Sequence, residues 1–541
     1  MPLYDVEYFL KRKRELEEIF NVIKPDLQEL ADYYSPRSVR FIARNTRKPF
    51  VKNKKIIDST PLIALRNFSS GMMSGATSPC NRWFKTSISN QNSSNHNLKK
   101  WCSKQEELTR EILYGSNFYQ ILPEVYKQLG VFGFSSIGIE PDYENIVNFK
   151  ILPIGSYYYA KNSSGKIDTF CRVYMETAKN IAEKFSSIPR EVADDALNNP
   201  TKQYELIHFI EPNKFYKEKR LDSKFSKYVS VVILTGQNEF ISYKGYDKFP
   251  YVVFESSFGL DDYPQDSPGI NALADVKQLM TMVKEYAKAV KKIVCPTYKG
   301  PASLKNKKLA DVPGAYIEED ENGRGISPVY EVNPRVLELK QEKDELKQTI
   351  KEHFYNDLFA MILSTAERGR TATEVNELKE EKMVLLSPLL EQIHCALRQI
   401  LEWIYDEELR VGIINPPPRE AQGYKFDIEF VSSLAQAQKV ANISSIERFT
   451  TFVSNIANTI DPVLKQKLNG EKIIEDYASY ANISPSQLVP SEEIEKIKQE
   501  NNAMENQRNQ IEAYKEGSQI IQNMGGVDSI GADLLKRFGI I

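Results

Sequence analysis

Apolar residues recur at alternating steps of three and four along three segments between Pro268 and Gln422, and each segment predicts an amphipathic helix. In the first, Leu273, Val276, Met280, Val283, Ala287, Val290 and Val294 share one seam, with Lys277, Lys284 and Lys291 repeating beside it. A helix from Ile270 to Val294 would be about 37 Å long at about 1.5 Å per residue. The second segment, Pro334 to Thr365, carries Leu339, Leu346, Ile350, Phe354, Leu358 and Met361 on one side and mostly charged residues elsewhere. The third, Thr371 to Leu409, opens on a capping box at Thr371 and Glu374. Its apolar side runs from Val375 to Ile404, Pro388 is expected to kink it, and Asn415 to Pro418 ends it. Burying one Val, Leu or Met is worth roughly 1.5–3 kcal/mol, so such seams need cover. Periodicity leaves open whether they cover one another in a bundle or are covered by copies of the chain.

Upstream, residues 5–34 have a helical pattern interrupted or kinked near Pro25, and Asp58 to Ser74 restarts as a helix behind an Asp or Ser cap and Pro61. Residues 86–97, with one apolar residue in twelve, predict a solvated loop. Helices follow at Leu98 to Tyr114 and Gln120 to Leu129. From Phe134 to Phe254 the period shortens to β-like runs separated by Gly, Asn and Pro turns, with one short helix at Ala178 to Phe185. The stretch 295–333 reads as a compact β insertion between long helices, because Asn322-Gly323 is a hairpin signal. A strand at 425–431 precedes a helical C-terminal region whose last helix, Ser491 to Ile521, is polar nearly all round. The fold class is α+β, mainly α.

The 541 residues predict two to four domains. Acidic and basic residues nearly cancel, 73 against 71, which argues against bulk coating of nucleic acid. A basic tract from Arg37 to Lys55 holds eight Lys or Arg and no acid. It suits pairing with an acidic surface of the same assembly more than phosphate contact. Five cysteines without a CxxC pair fit a reducing compartment and read as small buried residues. The N-terminus is too charged for a signal peptide, and no run of about 18 apolar residues occurs, so a soluble chain made in a cytoplasm is expected.

Chemistry is sparse. Four histidines, at 96, 208, 353 and 394, lack metal-ligand spacing. There is no GxxxxGK[ST] loop and no GxSxG elbow. The acidic pairs Asp194-Asp195, Asp261-Asp262 and Glu318-Glu319 would need a convergent third ligand to hold Mg²⁺ for nuclease chemistry, and solvated surface is their ordinary role. No catalytic residue, metal site or cofactor is expected.

Several stretches resemble the head-to-tail connecting, or portal, proteins of short-tailed bacteriophages: DSTPLIALRNFSSGMMSGATSPCNRWF (58–84), FKILPIGSYYYAKNSSGKIDTFCRVY (149–174), HFYNDLFAMI (353–362), RTATEVNELKEEKMVLLSPLLEQI (370–393) and GYKFDIEFVSSLAQAQ (423–438). The resemblance implies a ring of twelve at one capsid vertex of the virion, assembled in the host cytoplasm. Through it non-specific double-stranded DNA is packaged and later ejected. Implied partners are the terminase large subunit, the major capsid protein and a tail adaptor, with no membrane. It also implies a wing (1–267, with a long kinked helix and strand at 374–431), a stem of two helices (268–294 and 334–365), a clip (295–333), a tunnel loop (366–373) and a helical crown (432–541).

On that plan Arg368 and Arg370 would face the DNA channel, or else form salt bridges between subunits. Lys277, Lys284 and Lys291 lie on the stem, where pairing with acidic residues of other helices is favoured over DNA contact. Leu273, Val276, Met280, Val283 and Val290 would form the stem seam. Lys305, Lys307, Lys308, Glu318, Glu319 and Asp320 would form a clip surface for successive partners, or a solvated hairpin. The readings kept beside this one are a non-catalytic virion scaffold or adaptor, monomeric or dimeric, and more remotely a metal-dependent nuclease.

Overall fold

A computed structural model describes residues 4–36, 55–88, 96–218, 222–259, 262–294, 298–299, 327–328, 336–363, 372–414, 426–431 and 446–456, with a few short pieces beyond. The chain divides into two compact units, residues 1–93 with 100–441, and residues 94–99 with 442–541. In the second unit residues 446–456 are helical.

The first unit opens with helix α1 (Val6–Tyr34), which runs through Pro25, and α2 (Thr60–Ala76), with Pro61 in its first turn. Strand β1 (Phe84–Ile88) and helices α3 (His96–Gly115) and α4 (Phe118–Phe132) follow. Gly133 stops α4: at φ 80° it adopts the left-handed conformation that glycine tolerates, and its N–H reaches the Leu129 carbonyl at 3.0 Å. The chain passes directly into β2 (Phe134–Asp142), whose first six residues are all buried. That strand is central in an antiparallel sheet, between β3 (Ile146–Leu152) and β9 (Tyr251–Glu255).

A second antiparallel sheet runs in chain order through β4 (Tyr157–Lys161), β5 (Ile167–Thr177), β6 (Gln203–Pro212), β7 (Tyr228–Leu234) and β8 (Glu239–Tyr246). Helices α5 (Ala178–Lys184) and α6 (Arg190–Asn198) sit between β5 and β6. His208 of β6 ties the sheets together, its Nδ1 2.8 Å from the Tyr251 hydroxyl and its Nε2 2.9 Å from Ser230 Oγ. Burial, then Arg172 and Lys184 nearby, push its pKa down to about 3, so this histidine is a neutral packing group.

Helices α7 (Pro268–Asn271) and α8 (Leu273–Val294) lead to a two-residue ladder between β10 (Tyr298–Lys299) and β11 (Ser327–Pro328). Helices α9 (Val336–His353), α10 (Asn356–Leu363) and α11 (Ala372–Val411) follow, and β12 (Phe426–Phe430) pairs antiparallel with β1. One continuous core includes α1, α2, α4 and the sheets as well as α8 to α11. Trp83, almost fully buried, stacks between Phe118 and Phe430 with ring centroids 6.4 and 6.3 Å away.

Four expectations change. Residues 86–88 are strand and not loop: Thr86 to Ile88 pair with Ile428 to Phe426, a partner over 300 residues away that a polar stretch does not announce. The segment 334–365 is two helices, because Tyr355 at φ 55° interrupts it between α9 and α10. Two short helices, not one, lie between β5 and β6. Cys102 and Cys171 are buried, but Cys80 and Cys395 are exposed. Helix α11 runs unbroken through Pro388. The tract 37–54, the Asn322-Gly323 hairpin and most of 491–521 lie outside the described residues.

Candidate functional site

The root of the α8–α9 pair is held by several independent devices. Ser267 caps α7, accepting the Ile270 N–H at 3.1 Å and donating to the Val131 carbonyl at 3.0 Å. Gly269 lies against α4 so closely that a Cβ there would meet Val131 Cα at 2.8 Å. Val276, Leu279 and Met280 of α8 are buried, and the Met280 sulfur accepts the N–H groups of Ile57 and Asp58 at 3.2 and 3.3 Å.

Asp58 is a junction. One carboxylate oxygen accepts the Thr60 N–H at 2.8 Å, and the other pairs with Lys347 of α9 at 2.8 Å. Burial alone would raise its pKa, but the hydrogen bonds from Lys347 and Thr60 outweigh it and hold the carboxyl below its ordinary value. Lys277 reaches Glu29 of α1 at 2.8 Å, and His353 Nε2 lies 3.2 Å from Asp275. Ile350, Phe354, Leu358 and Phe359 fill the core beneath, with the Phe354 ring 5.7 Å from Tyr34 and 6.2 Å from Phe68.

Away from this root the cover thins. His353 meets Asp275, while ten residues earlier Lys343 lies over the Tyr286 ring at 4.8 Å, so α8 and α9 run antiparallel. Leu273, Val283 and Val290 are half-buried, whereas Ile293 is 46% and Val294 71% exposed. Lys284 and Lys291 are exposed on the same half, as are Lys288, paired with Glu285 at 2.7 Å, and Lys292. Opposite them α9 exposes Glu338, Glu342, Asp344 and Glu345.

Arg368, Arg370, Lys305, Lys307, Lys308, Glu318, Glu319 and Asp320 lie outside the described residues. Asp195 is held ionised, its pKa lowered to about 2 by Lys202 and Tyr204, and serves a local network on α6. No three His, Cys, Asp or Glu residues converge to hold a metal, and no helix is long and apolar enough to cross a membrane, among the described residues. Sequence reasoning missed Leu279, Asp58 as an ion-pair partner, and the contact of Gly71 with Phe359. A glycine inside a helical pattern was the available signal for the last.

Long helices with charged, partly uncovered outer halves on a firmly packed root are the architecture of a structural protein. The chain belongs to a family of such proteins, the bacteriophage head to tail connecting proteins, whose model matches residues 7–489. It is a non-enzymatic connector of the virion. The portal protein of Salmonella phage epsilon15 is 30% identical over 505 residues, covering 91% of this chain and 90% of that one. The probable portal protein of Bordetella phage BPP-1 is 30% identical over 512 residues, covering 93% and 92%. Among solved structures, the neck of an empty gene transfer agent particle aligns over 72% of this chain and 86% of that one, at 10% identity and a TM-score of 0.36, too distant to carry an argument.

Proposed function

We propose that this chain, a portal-type connector at the capsid vertex, assembles as a ring of twelve whose α8–α9 pairs surround a channel for double-stranded DNA. The observation that carries the reading is the half-covered seam of α8: its root is packed on its own chain, and its far half leaves Ile293 and Val294 in water. Burying such residues is worth roughly 1.5–3 kcal/mol each, and a neighbouring subunit is the nearest source of cover.

On this plan residues 1–267 with 374–431 form the wing against the major capsid protein. Helices in 268–294 and 334–365 form the stem, 295–333 the clip for terminase and then the tail adaptor, and 432–541 the crown. A separate C-terminal part agrees with the compact unit formed by residues 94–99 with 442–541, which begins ten residues later than this boundary. Arg368 and Arg370 follow α10 in sequence and would stand in the tunnel loop, 366–373. Duplex DNA carries one charge per about 1.7 Å, and each neutralised phosphate steepens salt dependence by about 0.9. Twenty-four docked arginines, two from each of about twelve subunits, would stop DNA from sliding, so the loops make a few transient contacts at a time. Native mass measurement and negative-stain imaging test the assembly: a hollow ring of about a dozen copies supports it. One or two copies would favour the scaffold reading.

A further inference from the structure

The lysines of α8 and the carboxylates of α9 follow one spacing. Lys277, Thr281, Lys284, Lys288 and Lys291 recur at alternating steps of four and three along α8, and Glu338, Glu342, Glu345, Thr349 and Glu352 do the same along α9. Each set therefore forms one stripe on its helix. At the root both stripes end in contacts within the chain: Lys277 pairs with Glu29, and Glu352 accepts from Gln348 at 3.1 Å. Farther out the charges stay apart. Lys284, Lys291, Glu342 and Glu345 are exposed and, among the described residues, form no ion pair, while Lys288 pairs with Glu285 of its own helix.

Handedness puts the stripes on opposite flanks of the pair. Asp275 meets His353 and Tyr286 meets Lys343, which sets half-buried Val283 level with half-buried Leu346. Lys284 follows Val283 by one position, and Glu345 precedes Leu346 by one. On antiparallel helices one step forward and one step back turn the same way, by about 100°, seen from either end. Two rows that face each other, both turned the same way, bring the stripes out on opposite sides.

By the same register Lys284 is level with Glu345 and Lys291 with Glu338, each within one residue step of about 1.5 Å. Rotation about an axis parallel to the pair keeps every residue at its height. The lysine flank of one copy then meets the carboxylate flank of the next in register, as a head-to-tail interface requires.

We propose that neighbouring copies of this chain are joined by a charge zipper: Lys284, Lys288 and Lys291 of α8 in one copy against Glu345, Glu342 and Glu338 of α9 in the next. Resting on the ring reading above, this contact gives both stripes one partner, a second copy of the chain, chosen by charge complementarity. It assigns Lys284 and Lys291 to subunit contact and not to DNA. An exposed pair changes an equilibrium by up to about fivefold, so two pairs turned from attraction to repulsion weaken one interface by about tenfold or more.

The test uses two variants of the full chain, Lys284→Glu with Lys291→Glu, and Glu342→Lys with Glu345→Lys, followed by native mass measurement and negative-stain imaging. All four positions are exposed, so circular dichroism and thermal unfolding of the separate copies should match wild type. Alone, each variant should need at least about tenfold more protein than wild type to close rings. Mixed in equal amounts, with one of them isotopically labelled, they should close rings as wild type does, the two proteins alternating, because each flank then meets only the opposite charge. Salt should weaken wild type and mixture alike. Where wild type forms rings, either variant closing them alone as readily, or a mixture that closes no better than its components, would overturn the zipper and leave the ring standing. A wild-type chain of one or two copies would overturn both.

Discussion

Gly71→Ala probes how rigidly the root of the α8–α9 pair is set. Gly71 is in the interior of α2, where alanine is ordinarily better by about 1 kcal/mol. Here a Cβ would fall inside the ring of Phe359, against Cγ and Cδ1 and 2.6 Å from Cδ2. Those atoms are at the base and body of a buried ring, so relief requires α10 to move away from α2. Overpacking of this kind costs roughly 1–3 kcal/mol, and a ring that cannot swing aside puts the cost at the upper end. After the helical gain, a net loss of about 2 kcal/mol is expected.

Phe359→Ala removes the obstructing atoms, so the double variant should recover part of the loss that Gly71→Ala causes, with a coupling of about 1–2 kcal/mol in a double-mutant cycle. Gly115→Ala, whose Cβ would find only Asn145 Oδ1 at 4.0 Å, is the control and should be neutral. Thermal unfolding of all five proteins, with ring formation followed by native mass, measures this. Additive effects, or a Gly71→Ala protein as stable as wild type, would refute the close-packed root.

Asp58→Asn should destabilise by about 1–3 kcal/mol near neutral pH, through loss of Lys347 and of the bond to Thr60. Because the folded pKa is lowered, that difference exists above the ordinary value of 3.8 and should vanish as acid titrates the wild type through its depressed value. Replacing Arg368 and Arg370 together by Ala should reduce DNA packaging or retention while rings still form; normal packaging and retention would remove the loop from the mechanism. Glu318→Lys with Glu319→Lys should weaken terminase docking or tail attachment, and unchanged behaviour in both would leave that stretch a solvated hairpin.

The amphipathic helices were readable because their cause is local. Leu273, Val276 and Met280 repeat at helical spacing whatever covers them, and the β-like runs from Phe134 to Phe254 follow from alternation and turn residues. The periodicity could not report where cover ends. Val276 and Val294 occupy equivalent positions on one seam, yet one is buried and the other is 71% exposed. The 334–365 break was hidden for a related reason: Ile350, Phe354, Leu358 and Met361 keep their spacing across Tyr355. A tyrosine in the left-handed region, which costs roughly 1–2 kcal/mol, is held there by surrounding packing and not by its own preference.

By itself, then, the sequence determined most of the elements, their order and the absence of familiar catalytic motifs, since these depend on residues within a few turns of one another. Only the tertiary structure decided which faces meet. Ties such as Asp58 to Lys347, Lys277 to Glu29 and Thr109 to Glu408 join residues more than two hundred positions apart. Their energies come from burial and from distances of about 3 Å that no spacing along the chain encodes.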